Sequence, residues 1–187
     1  DGELQPMTSN ATTMIGADQL NATGFTGKGM KVAILDTGIV VDHPNFGALS
    51  EDKLTESSLT KEGVDAIWNT LNAGQMTSLR NRSYYNSKLP FIFNYYTRDF
   101  DVSHATAQHD HGTHVAGIAA ANRYVPHYDA DGDLYYDKQE LGVTGVAPDA
   151  QLVVMKVFGV GGGAYSSDYM AAIEDAIWLN CDSVNLS

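Results

Sequence analysis

Two uninterrupted aliphatic runs constrain the fold of this chain more than any other feature. One is Lys31-Val32-Ala33-Ile34-Leu35, closing on Asp36-Thr37-Gly38; the other is Gln151 to Phe158, entered through the turn Gly145-Val146-Ala147-Pro148-Asp149. A strand buried on both faces reads as a continuous apolar run, whereas a strand with one wet face alternates. His111 to Ala121 is small and apolar with no breaker after Gly117, which predicts a tightly packed buried helix. Ser166-Ser167 predicts the cap of another helix, along which Tyr169, Met170, Ile173, Ala176 and Ile177 recur at helical spacing, and Asp182 to Leu186 reads as the next strand. Strand, helix, strand in this order implies parallel pairing through a crossover helix, an α/β fold. Between Gly47 and Arg98 the pattern loosens into a surface helix around Glu62 to Leu71 and one strand within Phe91 to Tyr96.

Composition excludes some partners. Among 187 residues, 43% are hydrophobic, enough for a sizeable core, and a net charge of -12 with no Lys/Arg cluster gives no footprint for nucleic acid or anionic membranes. No apolar run approaches the length of a membrane span. The opening Asp1-Gly2-Glu3-Leu4-Gln5 lacks both a starting Met and the charged-then-apolar order of a signal peptide, which reads as a processed start. The single cysteine, Cys181, excludes an internal disulfide and fits a buried small apolar residue better than a reactive thiol.

Chemistry enters through position. Asp36 falls where an apolar strand ends, at the carboxyl edge where α/β sheets collect functional side chains and where a carboxylate is otherwise costly to bury. His111 falls in the first turn of its helix, where the macrodipole disfavours an imidazolium by ~0.3–1 kcal/mol. A carboxylate about 4 Å away would favour that imidazolium by roughly 4 kcal/mol at an effective dielectric near 20, so the carboxylate dominates. Such a contact would hold the ring in one tautomer and stabilise the charge it acquires as a general base. On Asp36-Thr37-Gly38 alone, a turn-stabilising Asp is the competing reading. Asp129-Ala130-Asp131-Gly132-Asp133-Leu134-Tyr135-Tyr136-Asp137-Lys138-Gln139-Glu140 has the ligand spacing of a calcium loop: Asp129, Asp131, Asp133, Asp137 and Glu140 as carboxylates and Tyr135 as a backbone carbonyl. Leu134 stands where that loop wants Gly, so a solvated acidic hairpin tip is the alternative. No motif for an organic cofactor is present.

The ordered set Gly27-Lys28-Gly29, Val32 to Gly38, Asp42-His43-Pro44, His109 to Gly117, Gly145 to Pro148, Met155-Lys156-Val157 and Val184-Asn185-Leu186-Ser187 resembles the subtilisin-like serine peptidases. The long connection before His111 and the wording Gly145 to Phe158 look like the lactocepin group of large cell-envelope and secreted peptidases of Gram-positive bacteria. The resemblance implies a three-layer α/β/α fold with a mainly parallel central sheet, incomplete in this chain. Residues 24–187 are then the N-terminal portion of a catalytic domain, with insertions at about 47–100 and 123–141, and 1–23 is a segment packing on it.

By the same resemblance, Asp36 is the acid and His111 the base of an Asp-His-Ser triad. His114 is then a packing residue, and His104 and His109 are loop residues. Gly161, Gly162 and Gly163 form an exposed edge for the substrate main chain, Tyr165 lies near the pocket for a residue upstream of the scissile bond, and Ser187 opens the opposite flank. Glycines there suit close main-chain approach and strand addition, with a flexible helix-entry loop as the alternative. The oxyanion Asn and the nucleophile motif of that family do not occur here. The chain alone is therefore expected to be inactive, its partners a protein or peptide substrate and a complementary C-terminal segment carrying the Ser. The implied location is secreted or cell-envelope associated. The alternative is a non-catalytic subtilase-like binding or scaffold protein, against which the presence of both Asp36 and His111 weighs.

Overall fold

A computed structural model of the chain describes residues 7–104, 110–122, 125–128, 134–137 and 144–187. The two aliphatic runs form β1 (Lys31–Asp36) and β5 (Gln151–Lys156), paired in parallel from Lys31↔Gln151 to Asp36↔Lys156. With β2 (Phe91–Asn94) and β6 (Ser183–Leu186) they build a four-stranded sheet of order β2-β5-β1-β6, parallel at every pairing. A separate antiparallel pair, β3 (Val125–Tyr128) and β4 (Leu134–Asp137), registers Tyr128 with Leu134. β3 ends just before the acidic stretch and β4 lies within it, whereas an EF-hand loop sits between helices. Asp129, Asp131, Asp133 and Glu140 lie outside the described residues, as does His109.

The continuous apolar runs are explained by two cores, one on each face. Ala33, Leu35, Phe91, Phe93, Val153 and Met155 point toward α6 (Ser166–Trp178), while Ile34, Ile92, Leu152 and Val154 point toward α5 (His111–Ala120). Strand side chains alternate faces, so a sheet covered on both sides must be apolar at every position. Sheet and helices form the expected three-layer α/β architecture, of which this chain holds a part.

The helix on the first face differs from its sequence reading. The buried stripe of α6 is Asp168, Ala171, Ala172, Asp175, Ala176 and Leu179, while Met170, Ile177 and Trp178 are exposed. Ala176 is buried and Tyr169 and Ile173 pack partly against the same core, but most fully buried positions go to small residues because the space beneath α6 is already filled by aromatics: Phe93 meets Tyr95 edge-on at 5.0 Å and Trp68 at 6.1 Å. Nor does serine cap the helix: Tyr165 is its N-cap and no side chain bonds there.

A second difference lies in the connection. The expected surface helix is two short helices, α3 (Lys61–Ile67) and α4 (Asn72–Met76), and it is not superficial: Val64, Trp68 and Leu71 are buried in the first core. Thr60 caps α3 by accepting from the Gly63 amide. The turn into α4 requires Gly74, whose missing Cβ would stand 2.0 Å from the Trp68 carbonyl oxygen. At the N-terminus, α1 (Met7–Met14) and α2 (Ala17–Ala22) are joined at Gly16, and Met14, Ile15 and Leu20 are exposed. No helix among the described residues is long and apolar enough to cross a membrane.

Lys88 is a buried cation that ties two strands together. Its Nζ donates to the carbonyls of Pro148 and Ala150, just before β5, and its own carbonyl accepts from Leu152. Burial pushes its pKa down to about 7, against the opposing pull of Asp149. The unfolded chain keeps this proton up to the ordinary value of 10.5, so between about pH 7 and that value the unfolded state binds more protons. Stability is therefore expected to rise with pH across this window as the cost of a buried charge is relieved. Urea unfolding near both ends of the window should show that gain in the parent and its loss in Lys88→Met. Cys181 is partly buried, and desolvation pushes its thiol up to about 12, so it stays a protonated packing residue.

Candidate active site

The parallel register brings the chemistry to one edge. Asp36 is the last residue of β1, opposite Lys156 on one side, and Leu35 pairs with Leu186 on the other, which puts Ser187 beside Asp36 at the carboxyl end of the sheet. Gly38 makes the chain leave this edge sharply, with φ at 103° and its missing Cβ 2.1 Å from the Val102 carbonyl oxygen. A side chain at that position would meet backbone, so the turn is available only to glycine.

The helix carrying His111 is fixed at both ends. At its start, the Gly112 amide donates to Thr37 Oγ1 at 3.1 Å, and Thr113 Oγ1 accepts from the Val40 amide at 3.0 Å. At its end, the amides of Gly145, Val146 and Ala147 donate to the carbonyls of Ala121, Ile118 and Ala119, satisfying acceptors a helix end otherwise leaves open. Gly112, Ala116 and Ala120 form the buried stripe, and these small residues let α5 lie directly on the sheet.

His111 and Asp36 meet as a result. His111 Nδ1 lies 3.0 Å from both carboxylate oxygens of Asp36, and Asp36 Oδ1 also accepts from the Thr37 amide at 2.6 Å. Burial is asymmetric: the Asp36 side chain is 1% exposed and that of His111 56%. A carboxylate held this way fixes the imidazole as the Nδ1–H tautomer, so the exposed Nε2 carries the lone pair and can take a proton. A proton arriving there makes an imidazolium whose charge faces a buried carboxylate. That is the chemistry of a general base which later returns the proton as a general acid.

His114 does not share this arrangement, nor is it a packing residue. It is exposed and lines an open cavity of about 230 Å³ with His43, Asn45, Phe46, Thr113 and Ile118. His104 lies outside any helix or strand.

The glycine segment after β5 is a closed turn. The Gly159 amide donates to the Gly163 carbonyl and the Gly162 amide to the Gly159 carbonyl, both at 2.9 Å, with Gly162 at φ 73°. Gly161, Gly162 and Gly163 are exposed, and Tyr165, extended at φ −87° and ψ 139°, leads into α6. Ser187 is exposed, and its hydroxyl donates to Asn185 Oδ1. Of the expected calcium ligands, Tyr135 and Asp137 stand on β4. Sequence reading passed over Thr37, Thr113 and Gly112, which set the angle of α5 on β1. Their signal was a hydroxyl or a glycine inside each of the two motifs.

Gly112 provides a direct test of that angle. Alanine normally stabilises a helix interior over glycine by about 1 kcal/mol. Here the added Cβ would lie 2.2 Å from the Gly38 carbonyl oxygen and 3.1 Å from Asp36 Oδ1, so α5 must move off β1. Gly112→Ala is therefore expected to destabilise the fold by ~1–3 kcal/mol in urea unfolding, the cost of forcing an atom into filled space. Gly117→Ala, where the added Cβ meets nothing within 4 Å, should instead raise the unfolding midpoint slightly.

Comparison with known proteins bears on this geometry. The family model described as Subtilase family matches residues 27–187. The chain is 35% identical over 166 residues to the PI-type proteinase of Lactococcus lactis subsp. cremoris, a match covering 87% of this chain and 8% of that protein. It is 30% identical to the minor extracellular protease Vpr of Bacillus subtilis over 98% of its length and 17% of the relative's. The major intracellular serine protease of the same bacterium is 29% identical, with 93% of this chain and 38% of the relative covered. The chain thus spans well under half the length of each of these relatives. The expected resemblance to large peptidases of Gram-positive bacteria agrees with them, and the match over 27–187 places the acid–base pair and the whole parallel sheet inside the family's domain: the chain belongs to the subtilase family.

Proposed function

We propose that this chain is the acid–base part of a serine endopeptidase that hydrolyses peptide bonds in proteins through an Asp-His-Ser triad. The observation that carries the reading is the buried Asp36 carboxylate held on Nδ1 of an otherwise exposed His111. In this reading His111 Nε2 takes the proton of a serine hydroxyl as that oxygen attacks the substrate carbonyl, then gives it to the leaving amine. Asp36 orients the ring and stabilises the imidazolium between the two transfers. The serine and the oxyanion donors come from a complementary C-terminal segment, so the chain alone is inactive.

The substrate backbone lies along the exposed Gly161–Gly163 turn beside Tyr165, with Ser187 on the opposite flank. The relative named an extracellular protease supports a secreted or cell-envelope location, while another is named intracellular. Calcium at Asp129, Asp131, Asp133, Tyr135, Asp137 and Glu140 rests on ligand spacing. Isothermal titration at millimolar calcium should detect binding, and a flat titration would refute it.

A fluorophosphonate probe tests the main reading. In a preparation containing this chain together with the segment that follows it in the natural polypeptide, covalent labelling of a serine is expected, and it should vanish in His111→Ala. A folded preparation that takes no label would favour the non-catalytic scaffold.

A further inference from the structure

We infer that Tyr96 is a positioning residue for substrate selection, acting through Tyr165; the inference rests on the peptidase reading above. Tyr96 belongs to the connection between β2 and α5, and it reaches the glycine segment because Asn94 folds the chain back. The Asn94 side chain accepts from the amides of Tyr96 and Thr97 at 3.0 and 3.1 Å and donates to the Asp101 carbonyl, while its own carbonyl accepts from Arg98. Arg98 completes the turn in the left-handed region at φ 65°, a conformation uncommon for a residue with a Cβ.

That turn is bound to the first turn of α6 in two places. Arg98 donates to Asp168 Oδ1 at 2.8 Å, and Asp168 is fully buried, so the pair is shielded on the carboxylate side. Tyr96 lies parallel to Tyr165, with centroids 5.9 Å apart and planes at 11°. The Tyr96 ring also occupies the space where a Cβ on Gly159 would sit, 2.4 Å from such an atom. Gly159 backbone, Tyr96 and Tyr165 are therefore packed together at the root of the exposed glycine turn.

Location connects this packing to substrate. The glycine turn follows β5, which is paired with β1, and the amide of Val157 donates to the Asp36 carbonyl, so the turn begins one strand away from the acid–base pair. Crevices outside the carboxyl ends of parallel strands are where α/β folds bind ligands. A polypeptide laid against exposed glycine backbone presents alternate side chains to the flanking wall. The wall here is the Tyr165 ring, 63% exposed, with Tyr96 behind it and Val160 exposed nearby. A single exposed tyrosine samples several rotamers; one stacked on a ring that is itself seated on Gly159 does not. The slot so formed takes a flat aromatic or apolar side chain of the substrate, at a position remote from the scissile bond.

The test uses the polypeptide of the labelling experiment and paired peptides that differ only by Phe or Gly at each position along the substrate. In the parent, one position shows a preference for Phe. Tyr96→Ala is expected to lower the Phe-over-Gly ratio of kcat/KM there by about three- to tenfold, the size of one aromatic stacking interaction, with the change carried in KM. Tyr96→Phe should restore the ratio, and Tyr165→Ala combined with Tyr96→Ala should fall little further than Tyr165→Ala alone. An unchanged ratio in Tyr96→Ala, or an equal loss on both peptides, would overturn the inference and leave the peptidase reading intact. Failure of the parent polypeptide to cleave any peptide overturns both.

Discussion

Replacing His111 with alanine is expected to lower kcat for peptide hydrolysis by roughly 10⁶-fold, the loss seen when a triad base is removed from enzymes of this class. Asp36→Asn should cost less, on the order of 10⁴-fold. The difference follows from geometry. In the proposed reaction His111 Nε2 accepts the nucleophile's proton, so its removal ends that transfer. Asp36 acts at one remove: its carboxylate accepts from Nδ1 at 3.0 Å through either oxygen. An asparagine there can turn its amide N–H₂ toward the ring and select the tautomer with the proton on Nε2, which cannot act as a base. The fold should survive both changes, since His111 is mostly exposed and asparagine is nearly isosteric with Asp36. Steady-state kinetics of both variants in a polypeptide carrying the nucleophile, alongside circular dichroism, measures this directly. A His111→Ala protein retaining more than about a hundredth of parental kcat would remove His111 from the base role.

The second large effect is on stability. Asp175 is fully buried, and its carboxylate accepts from the Asn72 amide at 2.7 Å, the Ala73 amide at 2.8 Å and the Tyr95 hydroxyl at 2.7 Å. It thereby fixes the first turn of α4 onto α6 and ties both to the aromatic layer. Burial pushes its pKa up, while those donors pull it back. Asp175→Ala would leave the buried Ala73 amide and Tyr95 hydroxyl without an acceptor, at ~1–3 kcal/mol each before relaxation, and would also free the half-buried Asn72 amide. A net loss of about 3–5 kcal/mol is expected by urea unfolding, a large part of the ~5–15 kcal/mol that holds a typical domain. Tyr95→Phe removes one donor and leaves the two amide bonds in place, so it should cost only about 1 kcal/mol. Equal losses in the two variants would show that Asp175 is not the hub of this contact.

α6 also shows where sequence reading fails. Its apolar residues at helical spacing identify a helix, and the helix exists. Periodicity cannot say which stripe faces inward when the partner surface is unknown. Here the partner is a layer of Trp68, Phe93 and Tyr95, against which alanines and two aspartates with partners supplied by distant segments are buried, while Tyr169 and Ile173 pack only partly. The helix from Lys61 reads as superficial for a related reason: its core residues Val64, Trp68 and Leu71 are diluted by charged neighbours.

The acid–base pair was more legible. The order of motifs put Asp36 at a strand end and His111 at a helix start, and those are positions of local structure, which local sequence encodes. Strand identity, parallel pairing and two covered faces followed from uninterrupted aliphatic runs, because only a sheet shielded on both sides tolerates them. What the tertiary structure alone decided was contact: His111 on Asp36 across 75 residues, Arg98 on Asp168 across 70 and Tyr95 on Asp175 across 80. Each depends on the angle at which a helix lies on the sheet. That angle is set by close backbone approaches such as Gly112 on Gly38, and no window of neighbouring residues contains both sides of such an approach.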